Sequence, residues 1–290
     1  MGLEQARAGL AGLAVGDAFG AQILLPGDHP DVVDRRLPSA PWQWTDDTEM
    51  ACSVFAVLRR FGRIEQDALA ASFAEHLDPA RGYGPGAEWR LIRIRAGQSW
   101  RTVNVDDGRG SWGNGAAMRV APLGAWFCHD LPQALREAEL SAEITHAHFE
   151  GIAGAVAVAA AAALRAASPG LGGPDLLNRV IPLVPPGMVR DGLEMAVKVP
   201  GEAAAATLGT GREIAAHDTV PLALWIAARF PDSYVDALWT VARLAEDVDT
   251  VGAIVGGVLA AGGTAVPGAW LAACEPLPDW IQAGPTRRPA

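Results

Sequence analysis

The residues best suited to chemistry in this 290-residue chain form two acidic knots. The first is Trp44-Thr45-Asp46-Asp47-Thr48-Glu49, directly ahead of an apolar helical run. Thr and Asp are ordinary helix N-caps, and acidic residues in a first turn suit the helix dipole. Two adjacent Asp with Thr on both sides nevertheless exceed what a cap needs, and they offer carboxylate and hydroxyl oxygens suited to a hard cation. The second knot, Glu246-Asp247-Val248-Asp249-Thr250, also stands before a strongly apolar helix, and capping again accounts for part of it. Two carboxylates at i, i+2 are costly unless something positive neutralises them. The carboxylates and hydroxyls of the two knots are therefore together candidates for one shared Mg2+ or Mn2+ site. Such a site needs no Cys or His, which disfavours zinc.

Two further features stand between the knots. Gly110-Ser111-Trp112-Gly113-Asn114-Gly115 leads into Ala116-Ala117-Met118-Arg119. Its glycines would let backbone N–H groups approach a phosphate, with a helix start supplying a favourable dipole end, although a plain turn and cap would read the same way. Thr145-His146-Ala147-His148 lies between two helical segments. The common fate of such His is a hydrogen-bonded, partly buried ring, and the acidic knots already hold better hard ligands. We expect substrate contact from His146 and leave His148 open. Trp42, Trp44 and Trp112 lie in the motif regions as core residues, or, for Trp112, beside a bound ligand.

The elements that must position these residues are helices. Ala- and Leu-rich segments with apolar residues three and four apart recur, whereas alternating Val, Ile and Thr runs are scarce. The pattern predicts an all-α fold with helices over 4–22, 47–61, 65–77, 85–96, 115–127, 131–144, 148–166, 175–181, 189–199, 220–230, 233–244 and 250–261. The 148–166 helix has Ala or Gly on almost every face, so neighbours can approach it from all sides, and it should be central. No Pro- and Gly-rich break is long or polar enough to be an interdomain linker, which predicts one compact domain over 1–283 and a frayed tail over 284–290.

Composition sets outer limits. Half the residues are hydrophobic, enough for a sizeable core, and 23 Lys plus Arg against 33 Asp plus Glu give a net charge of −10. That balance makes nucleic acid an unlikely partner. Three widely spaced Cys suggest neither a disulfide framework nor a zinc cage and fit a cytoplasmic setting. The stretch 250–274 carries no charge and is long enough to span a bilayer, but Pro267 and the pairs Gly256-Gly257 and Gly262-Gly263 favour a buried helix followed by a loop, so no membrane partner is expected.

Six motifs in order carry a resemblance: GLAVGDAFG at 12–20, WTDDT at 44–48, GSWGNGAAMR at 110–119, THAH at 145–148, HDTVPLALW at 217–225 and DVDT at 247–250. Together they are similar to the ADP-ribosylglycohydrolase family over nearly the whole chain. The resemblance implies a compact all-α fold with two divalent cations, Mg2+ or Mn2+, in a cleft that binds ADP-ribose. By that likeness Thr45, Asp46 and Asp47 match the first ligand cluster, and Asp247, Asp249 and Thr250 the second. The loop of Gly110, Ser111, Trp112, Gly113 and Asn114 matches the part that holds diphosphate and ribose, and His146 a ligand-contacting His. Asp17 also matches a family position, although a buried polar residue that packs helices reads equally well there.

Three departures from the family pattern stand out. Ala245-Glu246 replaces a usual Gly pair, which adds a carboxylate near the metals. Leu24 falls where several relatives carry a Glu on a mobile lid. His217-Asp218 stands in place of an acidic residue and Ser.

The activity implied is hydrolysis of the N-glycosidic bond between ADP-ribose and an acceptor, protein arginine foremost, with Asp46 or Asp47 aligning water or accepting its proton. Arginine suits a site without the lid Glu, because its strongly basic guanidine needs little acid assistance to leave. The expected partner is an ADP-ribosylated protein or an ADP-ribose-containing small molecule. Two alternatives remain open at this point: a non-catalytic ADP-ribose binder or structural protein, and a hydrolase of a small ADP-ribosyl or ribosyl metabolite.

Overall fold

A computed structural model describes residues 2–105 and 110–282. The expected tail at 284–290 lies outside the described residues. Among those described, the α-helices are α1 (Leu3–Gln22), α2 (Pro30–Val33), α3 (Asp46–Phe61), α4 (Gln66–His76), α5 (Pro85–Arg95), α6 (Trp100–Val103), α7 (Ala121–Trp126) and α8 (Leu131–Glu143). They continue with α9 (Phe149–Ala167), α10 (Gly173–Val180), α11 (Met188–Ala196), α12 (Ala204–Leu208), α13 (Ala216–Arg229), α14 (Tyr234–Leu244), α15 (Val248–Ala261) and α16 (Gly268–Ala273). No strand is present among the described residues, only two isolated bridges, Trp42 with Cys274 and Gly113 with Ala215. The all-α expectation holds.

The core grows from small residues. Helix α9, buried along its length, packs against α7, α8, α10, α11, α13 and α15, so its predicted central place is correct. It is long and apolar enough to cross a membrane, yet 89% of its apolar window lies inside the fold. The closest approach, however, is between α1 and α15. A Cβ on Gly16 would stand 2.1 Å from Gly252 O, one on Gly12 2.5 Å from Gly256 O, and one on Gly20 2.5 Å from Asp249 Cα. The two helices therefore touch backbone to backbone, and the glycines fix their register. Tyr234 of α14 seals the seam by donating its hydroxyl to Gly12 O at 2.6 Å. This register sets Asp17 of α1 beside Asp249 of α15.

Helix α3 shows why the first knot begins where it does. Thr45 is the N-cap, accepting from Asp47 N; Asp46, Asp47 and Glu49 occupy the first turn, and Arg59 and Arg60 the last, in keeping with the dipole. Gly62, at φ +73°, closes the helix by donating its N–H to Leu58 O.

Two expectations need correction. The continuous helix predicted over 115–127 is a 3-10 turn, Asn114–Ala116, followed by α7 from Ala121. Pro122 lacks an N–H and disfavours helical backbone before it, so the chain restarts with Pro122 in the first turn. Helix α13 begins at Ala216 rather than at 220, with Pro221 inside it. The short helices α2, α6, α12 and α16 lie in stretches that periodicity left as connections.

Candidate metal centre and its cavity

Three helices deliver the carboxylates. Asp17 on α1, Asp47 at the start of α3 and Asp249 at the start of α15 each offer an oxygen within 4.8 Å of the others. Asp17, fully buried, accepts from Thr45 N at 3.0 Å, Thr45 Oγ1 at 2.8 Å, Thr48 N at 3.1 Å and Thr48 Oγ1 at 2.5 Å. Asp17 thus anchors the start of α3 and also stands in the acidic cluster. Thr45 Oγ1 also lies 3.2 Å from Asp47 Oδ2.

This crowding is electrostatically expensive. Burial raises the Asp17 carboxyl to about 7, opposed by the Thr48 hydrogen bond and reinforced by the charge of Asp249. Burial, then repulsion from Asp17 and Asp249, raises Asp46 to about 7. Asp47 is pushed well above the usual carboxylate range by burial and then by Asp17 and Asp46.

The second knot is held from outside its own helix. Asp247 makes no side-chain cap bond at the start of α15. Instead its Oδ2 accepts from Asn114 Nδ2 at 2.6 Å, and Asn114 Nδ2 also reaches Thr219 Oγ1 at 3.0 Å. Glu246 N donates to Thr210 O at 2.8 Å, and Gly211, at φ +84°, sits so close that a Cβ would stand 2.5 Å from Asp247 Cβ. Burial and the charge of Asp249 raise Asp247 to about 8. Asp218 organises the loop that supplies this support, accepting from Thr210 N and Glu213 N. Exposed Glu246 accepts from Thr210 Oγ1 at 3.1 Å and does not line the cavity, so it adds no carboxylate to the cluster.

The glycine-rich loop is pinned to this same support. Asn114 N donates to Ile214 O, and Ala216 N to Trp112 O. Gly113 N donates to Ser111 Oγ at 3.2 Å. Two N–H groups expected to meet a phosphate are thus committed internally, and the three-residue 3-10 turn that follows supplies no helix dipole. Gly110, at φ +73°, leaves no room for a side chain, since its Cβ would stand 2.6 Å from Ala147 Cβ.

A cavity of about 360 Å³ opens over the cluster, large enough for a small ligand. Asp46, Asp47, Asp247, Asp249 and Thr250 line it with Ser111, Gly113, Asn114 and His146. Nine of the twelve predicted site residues therefore share one cavity. Thr45 stands behind it on Asp17, Gly110 against Ala147, and Trp112, 45% exposed, beside the His148 ring at 5.6 Å. Trp42 and Trp44 are core residues. His148 proves to be the N-cap of α9, its Nδ1 accepting from Glu150 N.

Sequence reasoning missed the opposite wall, Gly82, Gly84, Pro85, Gly86 and Ala87. Arg81 holds it by stacking on Trp44, 3.5 Å from the ring centroid, and by forking onto Glu275 at 2.7 and 2.8 Å. Tyr83 adds a 2.7 Å bond to buried Glu49. No local motif announces this wall; the only signal was its density of Gly and Pro.

The residues fit divalent cations. Asp47 Oδ1 is buried with no hydrogen-bond partner among the described residues, an arrangement that a cation would satisfy. The donors are hard oxygens, suited to Mg2+ or Mn2+. Neutralising the cluster would also remove the repulsion that raises its carboxyls.

Comparison with known proteins shows what the whole chain is similar to. A model of the ADP-ribosylglycohydrolase family matches residues 2–287. The ADP-ribosylarginine hydrolase Tri1 of Pseudomonas putida is 28% identical, covering 93% of this chain and 74% of that protein. The ADP-ribosylhydrolase ARH3 of Gallus gallus is 35% identical over 39% of this chain, a stretch spanning about a third (32%) of that protein's length. A solved structure described as an ADP-ribosylglycohydrolase-related protein complex superposes with a TM-score of 0.63 at 26% identity, covering 94% of this chain and 93% of its own.

Proposed function

The chain belongs to the ADP-ribosylglycohydrolase family, and from that premise we propose that it hydrolyses the N-glycosidic bond between ADP-ribose and an acceptor, foremost the arginine guanidinium of a modified protein. The observation that carries this reading is the convergence of Asp17, Asp47 and Asp249 beside a small-molecule-sized cavity, with Asp47 Oδ1 lacking a hydrogen-bond partner among the described residues. Thr45, Asp46, Asp47, Asp247, Asp249 and Thr250 would hold two divalent cations, which when bound neutralise the cluster, orient ribose hydroxyls and make a bound water more acidic.

The chain's own residues supply the rest. Asp46 lines the cavity and keeps partial solvent access, so its carboxylate is placed to take the proton of the attacking water. Asn114 steadies Asp247, and Asp17 steadies the helix start that carries Asp46 and Asp47. Ser111 and the small profiles of Gly113 and Gly115 let the ligand approach closely, and the exposed Trp112 ring flanks its nucleotide part.

Arginine is supported by two observations. Leu24 is 87% exposed and brings no carboxyl to assist a poor leaving group, whereas a guanidine needs little assistance. The similarity to an ADP-ribosylarginine hydrolase also covers nearly the whole chain.

The test is to incubate the purified protein and Mg2+ or Mn2+ with an ADP-ribosylated arginine peptide and measure free ADP-ribose. Release is the expected result. Absence of release from arginine, serine and small ADP-ribosyl conjugates alike would refute hydrolysis, and calorimetric binding of ADP-ribose without turnover would reassign the protein as a binder.

A further inference from the structure

His146 enters the cavity with its proton placement already decided. Arg119 is fully buried, and its guanidinium, which can only donate, is oriented by several partners at once. Nη1 lies 3.2 Å from Gly115 O and 3.7 Å from Met50 Sδ, Nη2 lies 2.9 Å from Ser141 O, and the group rests 4.6 Å from the Phe73 ring centroid. Nη2 also lies 2.9 Å from Thr145 Oγ1, so the Thr145 oxygen must accept there. Thr145 is buried and has one proton to place. The other hydrogen-bond neighbour of its hydroxyl among the described residues is His146 Nδ1, at 2.8 Å. The hydroxyl therefore donates to Nδ1, which must be unprotonated, and the ring proton of neutral His146 resides on Nε2. The reverse arrangement would leave the buried Thr145 proton without an acceptor, which is unfavourable.

The surroundings direct that nitrogen to the cavity. Nε2 lies 3.5 Å from where a Cβ on either Gly113 or Gly115 would stand, and both glycines line the cavity. Gly151 leaves the slot for the ring itself, 3.0 Å from Cδ2 by the same measure. Burial first, and then the positive charges of Arg119 and Arg90, hold the imidazole neutral far below its usual pKa, so the donor does not become a cation at physiological pH.

We propose that Arg119 and Thr145 are positioning residues that lock His146 as the Nε2–H tautomer, so that the cavity presents a fixed hydrogen-bond donor matched to an acceptor oxygen of the ligand. The identity of that ligand as an ADP-ribosyl group rests on the function proposed above; the tautomer does not. His146 then binds and orients a hydroxyl or phosphate oxygen, and it is not a base at Nε2.

Long-range 15N–1H correlation spectra of the ligand-free protein test this directly. The protein has six His, and the His146 signals are identified by their loss in His146→Gln. The Nε2–H pattern is expected, and an Nδ1–H pattern overturns the proposal. Thr145→Val, which removes the hydroxyl at similar volume, should give mixed tautomers and weaken ADP-ribose binding about tenfold, while Thr145→Ser restores both. A Thr145→Val protein that keeps pure Nε2–H refutes the relay, and the wild-type spectrum decides the tautomer even if that variant does not fold. An Nε2–H tautomer in a protein that fails to bind ADP-ribose supports the lock and overturns the functional reading instead.

Discussion

The two acidic knots are alike in sequence and differ in how they are held. The first is fixed by its own helix start: Thr45 caps α3, and the Thr45 and Thr48 N–H and hydroxyl groups converge on Asp17. In the second, α15 steadies Asp249 through Thr250 N, but the N-cap residue Asp247 makes no side-chain cap bond to the helix. Asp247 is steadied by Asn114, 133 residues away, and by the loop at Thr210 and Gly211. The first knot therefore couples the candidate metal centre to stability, and the second couples it to the glycine-rich loop that lines the cavity. A cation that bridges them would join these two kinds of support.

Removing a carboxylate from either knot should have the largest effect and should not distinguish them. Asp47→Asn and Asp249→Asn are each expected to slow ADP-ribose release on the order of 10³-fold, measured as initial rates with saturating Mg2+ or Mn2+ after circular dichroism confirms folding. Unequal losses would mean that only one knot carries the chemistry. Removing their supports should separate them. Asp17→Ala strips four hydrogen bonds from the start of α3 and should cost about 3 kcal/mol of stability in chemical denaturation. Asn114→Ala should change stability by about 1 kcal/mol while weakening cation affinity by roughly 10- to 100-fold in calorimetry. If Asp17→Ala proves as stable as wild type, the contrast between the knots fails.

The carboxyl shifts add a pH test. Asp17 and Asp46, raised to about 7, and Asp247, raised to about 8, bind more protons in the folded than in the unfolded state between about pH 4 and pH 8. Without cation, their contribution to stability is full at the acid end and is lost as pH rises through the folded-state values. The Tm in EDTA should fall on the order of 5 °C between about pH 5.5 and about pH 8.5. Saturating Mg2+ or Mn2+ should raise the Tm, and more so at the alkaline end, where protons no longer compete. A Tm indifferent to both cations would contradict the metal reading of both knots. The smallest effect is expected at Glu246→Gln: this exposed side chain outside the cavity should change stability by less than about 0.5 kcal/mol and leave the rate unchanged.

The part of the site legible in sequence was the part that is local. Thr45-Asp46-Asp47 and Asp247-Val248-Asp249 each advertise themselves because cap, carboxylate and apolar helix follow within a few residues. Asp17 reads as an ordinary buried polar residue of α1, since its role depends on a register with α15 that only the facing glycines establish. The wall at Gly82 to Ala87 is held by Arg81 on Glu275, 194 residues away, a pairing that no spacing rule reveals. The 115–127 stretch departs from its expected helix for a local reason: its alanines favour a helix, and Pro122 imposes a restart. Asp218 likewise looks like a departure from the family pattern, whereas here it ties the loop that steadies Asp247.

The glycine seam also dictates an order of assembly. It joins the first long helix of the chain to the last, and the Tyr234 bond that seals it spans 222 residues. During synthesis α1 emerges with a bare strip of backbone and a buried-type carboxylate, Asp17, that have no partner until α14 and α15 follow. The nascent protein therefore cannot gather its three carboxylates before α15 has been made, and a cation held by all three must arrive after that. Truncations that stop short of α15 should yield a chain that is unable to close its core as well as inactive.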